Sequence, residues 1–240
     1  MNMNGNSELA VPQNTLGAEL RQLENKQWEQ ITLPHTPFVE PLTVLHQWQG
    51  ICYYKKKITI TPKEAKKHIW IEFEGAMHLA DVWINGKHVM QHAGGYTPFV
   101  VDVTGLLKTG KENELLVRLD NRNNSLIPPG KPLETLDFCY YGGIYRNVHL
   151  IAKADVHITH PILDGHPAGA GIFITYPKVS QELSVVDAKT EIKNTSDKEK
   201  VVELRHTLYT WKKQKGKDKK VQNISETLTL HPGITIENNQ

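Results

Sequence analysis

Apolar and polar positions alternate with a period of two through most of this chain. In His68–Phe73, Ile69, Ile71 and Phe73 fall on one side and Trp70 and Glu72 on the other. Successive strand side chains point to opposite faces, so this stretch predicts a half-buried β-strand. Ala80–Ile84 repeats the pattern, with Val82 and Ile84 opposite Asp81 and Trp83. Asn85-Gly86 follows at once, then Lys87–Met90. Asn-Gly accepts the positive φ that a type I′ turn needs at both central positions, so the pair predicts a hairpin. Leu115, Val117 and Leu119 alternate with Glu114, Leu116 and Arg118, and Ile144, Val148 and Leu150 carry the same pattern further on. Turn signals fall between these runs, at Thr61-Pro62, Gly94-Gly95, Thr109-Gly110 and Pro128-Pro129-Gly130. Many short strands with frequent turn signals predict an antiparallel sandwich. Asp102–Leu107 is read as one helical turn, capped by Asp102 or Thr104.

The character of the chain changes near His157–Pro161. After the Gly/Pro/Ala-rich stretch Asp164–Gly171, β-like runs resume at Val185–Lys193 and Val201–Tyr209, joined by the polar loop Asn194–Lys200. A further hairpin has Lys212–Lys220 as its tip and returns through Thr227–Leu230. This is the strand spacing of an immunoglobulin-like domain. The expected division is a flexible leader over residues 1–30, a first sandwich over 31–156 and a second, incomplete sandwich over 157–240. No strand–helix alternation occurs, so no TIM barrel or dinucleotide fold is encoded.

Composition narrows the function classes. At 240 residues, 39% hydrophobic and 22% charged, the chain has a globular profile with room for two ordinary domains. A net charge of +2 supplies no field that favours nucleic acid or an anionic membrane as partner. No apolar run approaches the roughly 20 residues that span a bilayer. Met1–Asn14 shows no basic-then-apolar export signal. The two cysteines, Cys52 and Cys139, are read as unpaired buried thiols. His88 with His92, and His157 with His160, have spacings compatible with a metal but lack further ligands. They are read as structural or exposed, and neither metal nor cofactor is expected. The lysine-rich tip Lys212–Lys220 has no interleaved aromatic platform and is read as a solvated turn. Asn113-Glu114 opens an amphipathic strand and is read as a solvent-facing strand start.

Four stretches together resemble the sugar-binding domain of family 2 glycoside hydrolases, the family of β-galactosidases, β-glucuronidases and β-mannosidases. The first is Leu33-Pro34-His35 with Trp48-Gln49-Gly50 and Tyr53-Tyr54-Lys55-Lys56. The second joins Phe73-Glu74-Gly75 to Asp81-Val82-Trp83-Ile84-Asn85-Gly86. The third is Gly94-Gly95-Tyr96-Thr97-Pro98-Phe99 followed by Asp102-Val103-Thr104. The fourth is Gly142-Gly143-Ile144-Tyr145-Arg146-Asn147-Val148. They stand in the family's order, while from residue 157 onward the likeness is limited to position and strand pattern. The resemblance implies an all-β architecture: a jelly-roll, galactose-binding-like β-sandwich followed by an immunoglobulin-like β-sandwich. It also implies a catalytic TIM barrel C-terminal to this chain, carrying both catalytic glutamates, and hence no catalytic residue here. The implied ligand is carbohydrate, a terminal β-galactoside or β-glucuronide, with β-galactosidase favoured, in the cytoplasm or periplasm of a bacterium. Arg146, beside Tyr145, is expected to hold Asp81 or Asp102 as a bidentate pair.

The same resemblance singles out Asp137. Ile127-Pro128-Pro129-Gly130 and Leu136–Ile144 are similar to a loop of β-glucuronidases and related β-galactosidases that reaches the barrel's active site, where its Asp bonds the sugar. An ionised carboxylate is acceptor-only and suits vicinal hydroxyls, taking two O–H donors at once. The loop from Asn121 to Tyr140 is about 20 residues long, a length at which loops are usually functional or disordered. Asp137 is therefore the leading substrate-binding candidate, Asp120 the second, and Tyr140 a candidate for lining the pocket.

Overall fold

The computed structural model describes residues 7–10, 23, 26–39, 47–164, 170–210 and 218–239. The chain is all-β and divides into two compact units, Met1–Ala152 and Lys153–Gln240.

The first unit contains strands β1 (Ser7–Ala10), β2 (Glu29–Ile31), β3 (Ile51–Thr59), β4 (His68–Phe73), β5 (Leu79–Ile84), β6 (Lys87–Ala93), β7 (Phe99–Asp102), β8 (Glu112–Asp120) and β9 (Val148–Lys153). Among the described residues, one sheet runs β2-β1-β3-β8-β5-β6 and faces a second, β7-β4-β9. The alternating apolar sets meet between them. Tyr54 and Ile58 of β3, Leu115, Val117 and Leu119 of β8, and Val82 and Ile84 of β5 pack against Ile69, Ile71 and Phe73 of β4 and Phe99 and Val101 of β7. Phe73 and Phe99 are directly paired across strands and stack with centroids 4.6 Å apart and planes 7° from parallel. Asn85 and Gly86 take φ of 50° and 80°, the left-handed conformation their turn demands.

Several expectations are corrected. The stretch read as a flexible leader contributes β1, which pairs with both β2 and β3. Leu23 and Trp28 join Ile51, Tyr53, Trp83 and Leu116 in a second apolar cluster. Lys55 lies over the Trp28 ring at 4.2 Å. This cluster explains why β3 and β8 are buried on both sides and why the run Ile51–Tyr54 shows no clean alternation. Asp102–Leu107 forms a turn, not a helix. Thr104 N donates to Asp102 Oδ1 at 2.9 Å, and Ile69 N donates to Thr104 Oγ1 at 3.0 Å. Of the Asn113-Glu114 pair only Glu114 faces solvent. Asn113 is fully buried, and its side chain ties Lys108, Lys111 and Ile58 together. Both cysteines are free, Cys52 buried and Cys139 half-buried.

The expected Arg146 pairing is also overturned. Asp81 is opposite Arg118 in the β5–β8 register, and the two groups approach to 3.6 Å. His88 Nε2 and Gln91 Nε2 reach Asp81 Oδ1 at 3.0 and 2.9 Å. Asp102 spends its carboxylate on Thr104, and Arg146 sits over the Tyr145 ring. The physical reason is face. Asp81 lies on the side of the sheet away from the sandwich interior, where β8 offers Arg118 and nothing at Arg146 can reach.

The second unit contains β10 (Val156–Ile158), β11 (Ile172–Val179), β12 (Ser184–Asn194), β13 (Lys200–Tyr209), β14 (Lys220–Leu230) and β15 (Thr235–Asn239). β12 pairs with β10, β11 and β15, while β13 and β14 form a separate hairpin. This is a small, immunoglobulin-like β-sandwich. Its core is Ile192, Leu204, Leu228 and Leu230, closed at one end. At the other end Ile174, Leu208 and Ile224 remain exposed. The lysine-rich tip lies largely in 211–217, outside the described residues.

Replacing Arg118 with Met removes a guanidinium that serves two buried carboxylates, and should cost about 3–5 kcal/mol in urea unfolding. Arg146→Met, which loses a ring contact alone, should cost less than about 1 kcal/mol. Equal losses would contradict the ion pairing described here.

Candidate functional site

Where β8 ends, its outward-facing charges continue into the loop. Arg118 Nη2 lies 3.3 Å from Asp120 Oδ2. Arg122 then wraps Asp120: its backbone N and Nε donate to Oδ1 at 3.1 and 2.9 Å, and its Nη2 donates to Oδ2 at 2.6 Å. Burial pushes the Asp120 carboxyl up, but the Arg122 hydrogen bonds and the charges of Arg122 and Arg118 outweigh it. Its pKa ends below the ordinary carboxylate value. Asp120, predicted as a sugar ligand, is thus buried and committed to two guanidiniums.

The loop that follows is held along its length. Asn121 bonds Gly50 N through Oδ1 at 2.8 Å and Trp48 O through Nδ2 at 2.9 Å. Asn123 N donates to Gln49 Oε1 at 2.9 Å, and Asn123 Oδ1 accepts from Leu133 N at 3.0 Å. The Gln47 amide brackets the far end: its Nε2 donates to Phe138 O at 3.1 Å, and its Oε1 accepts from Tyr140 N. Asp137 and Phe138, between these ties, are exposed. The structure therefore presents the leading candidate at the surface of a braced loop.

Tyr140 is buried beneath it. Its ring packs with Met77 and Leu133 and lies edge-on to His78 and Tyr96. The hydroxyl donates to Pro128 O at 3.1 Å, so its lone pairs receive the Nδ1–H of His78 at 2.9 Å. Burial pushes the Tyr140 hydroxyl up and the His78 imidazole down, so both are neutral near pH 7. Tyr140, expected to line a pocket, anchors the base of the loop and borders a small cleft there with His78, Asn121 and Leu133.

The Gly142-Gly143 step also has a local cause. Gly143 takes φ 100°, and a Cβ there would stand 2.6 Å from His35 O and Tyr54 Oη. A Cβ on Gly142 would meet the Asn121 amide at 2.9 Å. Beyond it, Glu74 accepts from Asn147 Nδ2 at 3.0 Å and pairs with His149 at 3.1 Å, linking two of the sequence motifs. The His149 hydrogen bond leads in lowering the Glu74 carboxyl.

Sequence reasoning missed Arg122, Gln47, Gln49 and His78. Gln47, Gln49 and His78 act through partners distant in the chain, Gln47 across some ninety positions, while Arg122 grips Asp120 two residues before it, a pairing that strand alternation does not signal. Among the described residues, no group of three or more His, Cys, Asp or Glu is placed to hold a metal.

The fold defines the class: a β-sandwich domain that carries a long, hydrogen-bonded loop with exposed carboxylate and amide groups at its rim. Residues 5–154 match the family model described as glycosyl hydrolases family 2, sugar binding domain, and the chain belongs to that family. It is 32% identical over 190 residues to a beta-glucuronidase of Formosa agariphila, covering 74% of this chain and 19% of that protein. It is 32% identical over 192 residues to a beta-galactosidase of Thermoanaerobacter pseudethanolicus, covering 78% of this chain and 26% of that protein. Beta-glucuronidase 2 of Bacteroides uniformis superposes on the whole chain with a TM-score of 0.76 at 27% identity, using 27% of its own length. The chain thus spans about a fifth to a quarter of the curated relatives it matches.

Tyr140→Phe strands the Pro128 carbonyl and the His78 N–H, and should cost about 1–3 kcal/mol in urea unfolding while speeding amide exchange over residues 126–140. Stability should also fall with pH. His35, His78 and His92 all have pKa values lowered by burial, so the unfolded chain takes up protons first. The contribution is complete above the unfolded value of about 6.5 and is lost as pH falls below it towards the folded values. Urea midpoints at pH 7.5 and 5.5 measure this, and His78→Gln should flatten the slope.

Proposed function

We propose that this chain is the non-catalytic N-terminal portion of a retaining family 2 β-glycosidase that cleaves terminal β-linked sugars, and that it lends the Asp137 loop to the substrate site. The exposed, braced position of Asp137 carries this reading. An ionised carboxylate on a loop pinned by Gln47, Asn121 and Asn123 is an acceptor for sugar hydroxyls with little left to order on binding. Asp120 and Tyr140 support the site from beneath, one by holding Arg122 and the other by anchoring the loop. The relatives named above include both beta-galactosidase and beta-glucuronidase, so the sugar is a terminal β-galactoside or β-glucuronide, with the galactoside the first substrate to test. The catalytic carboxylates belong to a C-terminal barrel outside this chain. The alternative, a free-standing carbohydrate-binding module, draws on the family description of the domain as sugar binding.

Two measurements separate these readings. The purified chain should show neither turnover of aryl β-galactosides and β-glucuronides nor calorimetric binding of neutral galactosides. Asp137 alone supplies one or two hydrogen bonds, each about 1 kcal/mol net for neutral partners. Measurable turnover by the chain would overturn the proposal, and tight galactoside binding would favour the free-standing module. In the protein extended through its barrel, Asp137→Asn should lower kcat/KM about ten- to hundredfold, the loss of one charge-assisted hydrogen bond. Melting should be unchanged, because the side chain is exposed.

A further inference from the structure

We infer that the open cleft beside Arg122 binds an anionic substituent, carboxylate or sulfate, of a glycan. The cleft, of about 530 Å³, is lined by Gln49, Leu79, Asp120, Arg122, Asn123 and Asn124. Its lining is polar and rich in amide groups, and its one cation is presented in a fixed pose. Arg122 is bound to Asp120 through its backbone N, Nε and Nη2, yet 58% of its side chain remains exposed.

The charge order explains why a cation ends up at this position. Asp81, Arg118, Asp120 and Arg122 form an alternating series along one face, with contacts of 3.6, 3.3 and 2.6 Å. The first three groups are buried and leave one negative charge among them, which Arg122 balances at the surface. Asp120 repels an incoming anion less than a bare carboxylate would, since Arg122 and, shared with Asp81, Arg118 both contact it. An exposed arginine ordinarily loses rotamer freedom when it binds an anion. Here Asp120 has already paid that entropy, which favours a planar or tetrahedral oxyanion at the outer edge.

The amides beside it are also positioned. Gln49 Oε1 is taken by Asn123 N, and Asn124 Oδ1 by Leu126 N at 2.9 Å. With their oxygens occupied by backbone donors, the groups these two lining side chains have left to offer a ligand are N–H donors, the polarity an oxyanion requires. Asn123 differs, because its Nδ2 leans on Glu134 at 3.5 Å and its Oδ1 on Leu133 N. The inference rests on the reading of the chain as part of a sugar-handling protein.

The test is nitrogen–proton NMR titration of this chain with three probes: methyl β-glucuronide, galactose 6-sulfate and methyl β-galactoside. The expected result is saturable shifts at Gln49, Arg122, Asn123 and Asn124 with either or both charged sugars. The neutral sugar should bind at least about tenfold more weakly, the loss of one charge-assisted contact. The two charged arms tell carboxylate from sulfate. Arg122→Gln should abolish the shifts, and Arg122→Lys should restore them in part. Asp137→Asn should leave them intact. The comparison of charged with neutral sugar on the unaltered chain keeps the test valid should Arg122→Gln unfold. Equal binding of all three probes, no saturable binding, or shifts centred on Asp137 would each overturn the cleft assignment. None of these outcomes touches the glycosidase reading, which is decided by turnover in the barrel-extended protein.

Discussion

β8 is buried on both faces, and the rest of the first unit is organised around that constraint. Its inner side chains, Leu115, Val117 and Leu119, complete the sandwich core. Its outer ones, Leu116, Arg118 and Asp120, are covered as well, and two of the three are charged. A buried guanidinium is tolerable only where carboxylates meet it, which Asp81 and Asp120 do. A one-residue slip against β5 would place Arg118 in the apolar interior and Val117 outside. The ion series therefore penalises the wrong register and the core rewards the right one. Because the series runs off the end of β8, the same charges that fix the strand also fix the first residues of the loop.

That loop illustrates how order is obtained without secondary structure. Side chains of Gln47, Gln49, Asn121 and Asn123 satisfy backbone groups that a sheet would otherwise pair. Tyr140 and Leu133 turn inward with Met77 as a small apolar anchor. Ordering a loop of about twenty residues is entropically costly, and here folding bears that cost before any ligand arrives. Asp137 and Phe138 are among the loop residues that remain exposed to a partner or substrate.

The second unit follows the same alternation with a thinner core. Exposure increases along its strands from Leu230 and Leu228 to Ile224 on β14, and from Leu204 to Leu208 on β13. The inner faces are in contact at one end and apart at the other. Period-two patterning sets which side chains face inward, but closure depends on how much apolar area the opposite sheet brings to each position.

Much of the scaffold could be read from the chain. Alternation located β4, β5 and β8 to within a residue or two or a short extension, and Asn85-Gly86 marked its hairpin, because strand periodicity and turn chemistry are local properties. The motifs around Glu74, Gly143 and Asn147 were equally visible, and with them the family. Partners were not visible. Alternation assigns a side chain to a face but does not say what covers that face. Thus Arg146 was expected to hold Asp81 where Arg118 does, β3 gave no alternating signal because both its faces are covered, and the segment around Leu23 and Trp28 was taken for a leader. Asp137 was singled out by the resemblance as a loop residue for substrate, and the structure shows it exposed; Gln47 and His78 acquired their roles only when segments far apart in the chain came together. Local geometry resides in neighbouring residues; burial, ion pairing and the bracing of a loop depend on contacts that exist only once the chain has folded.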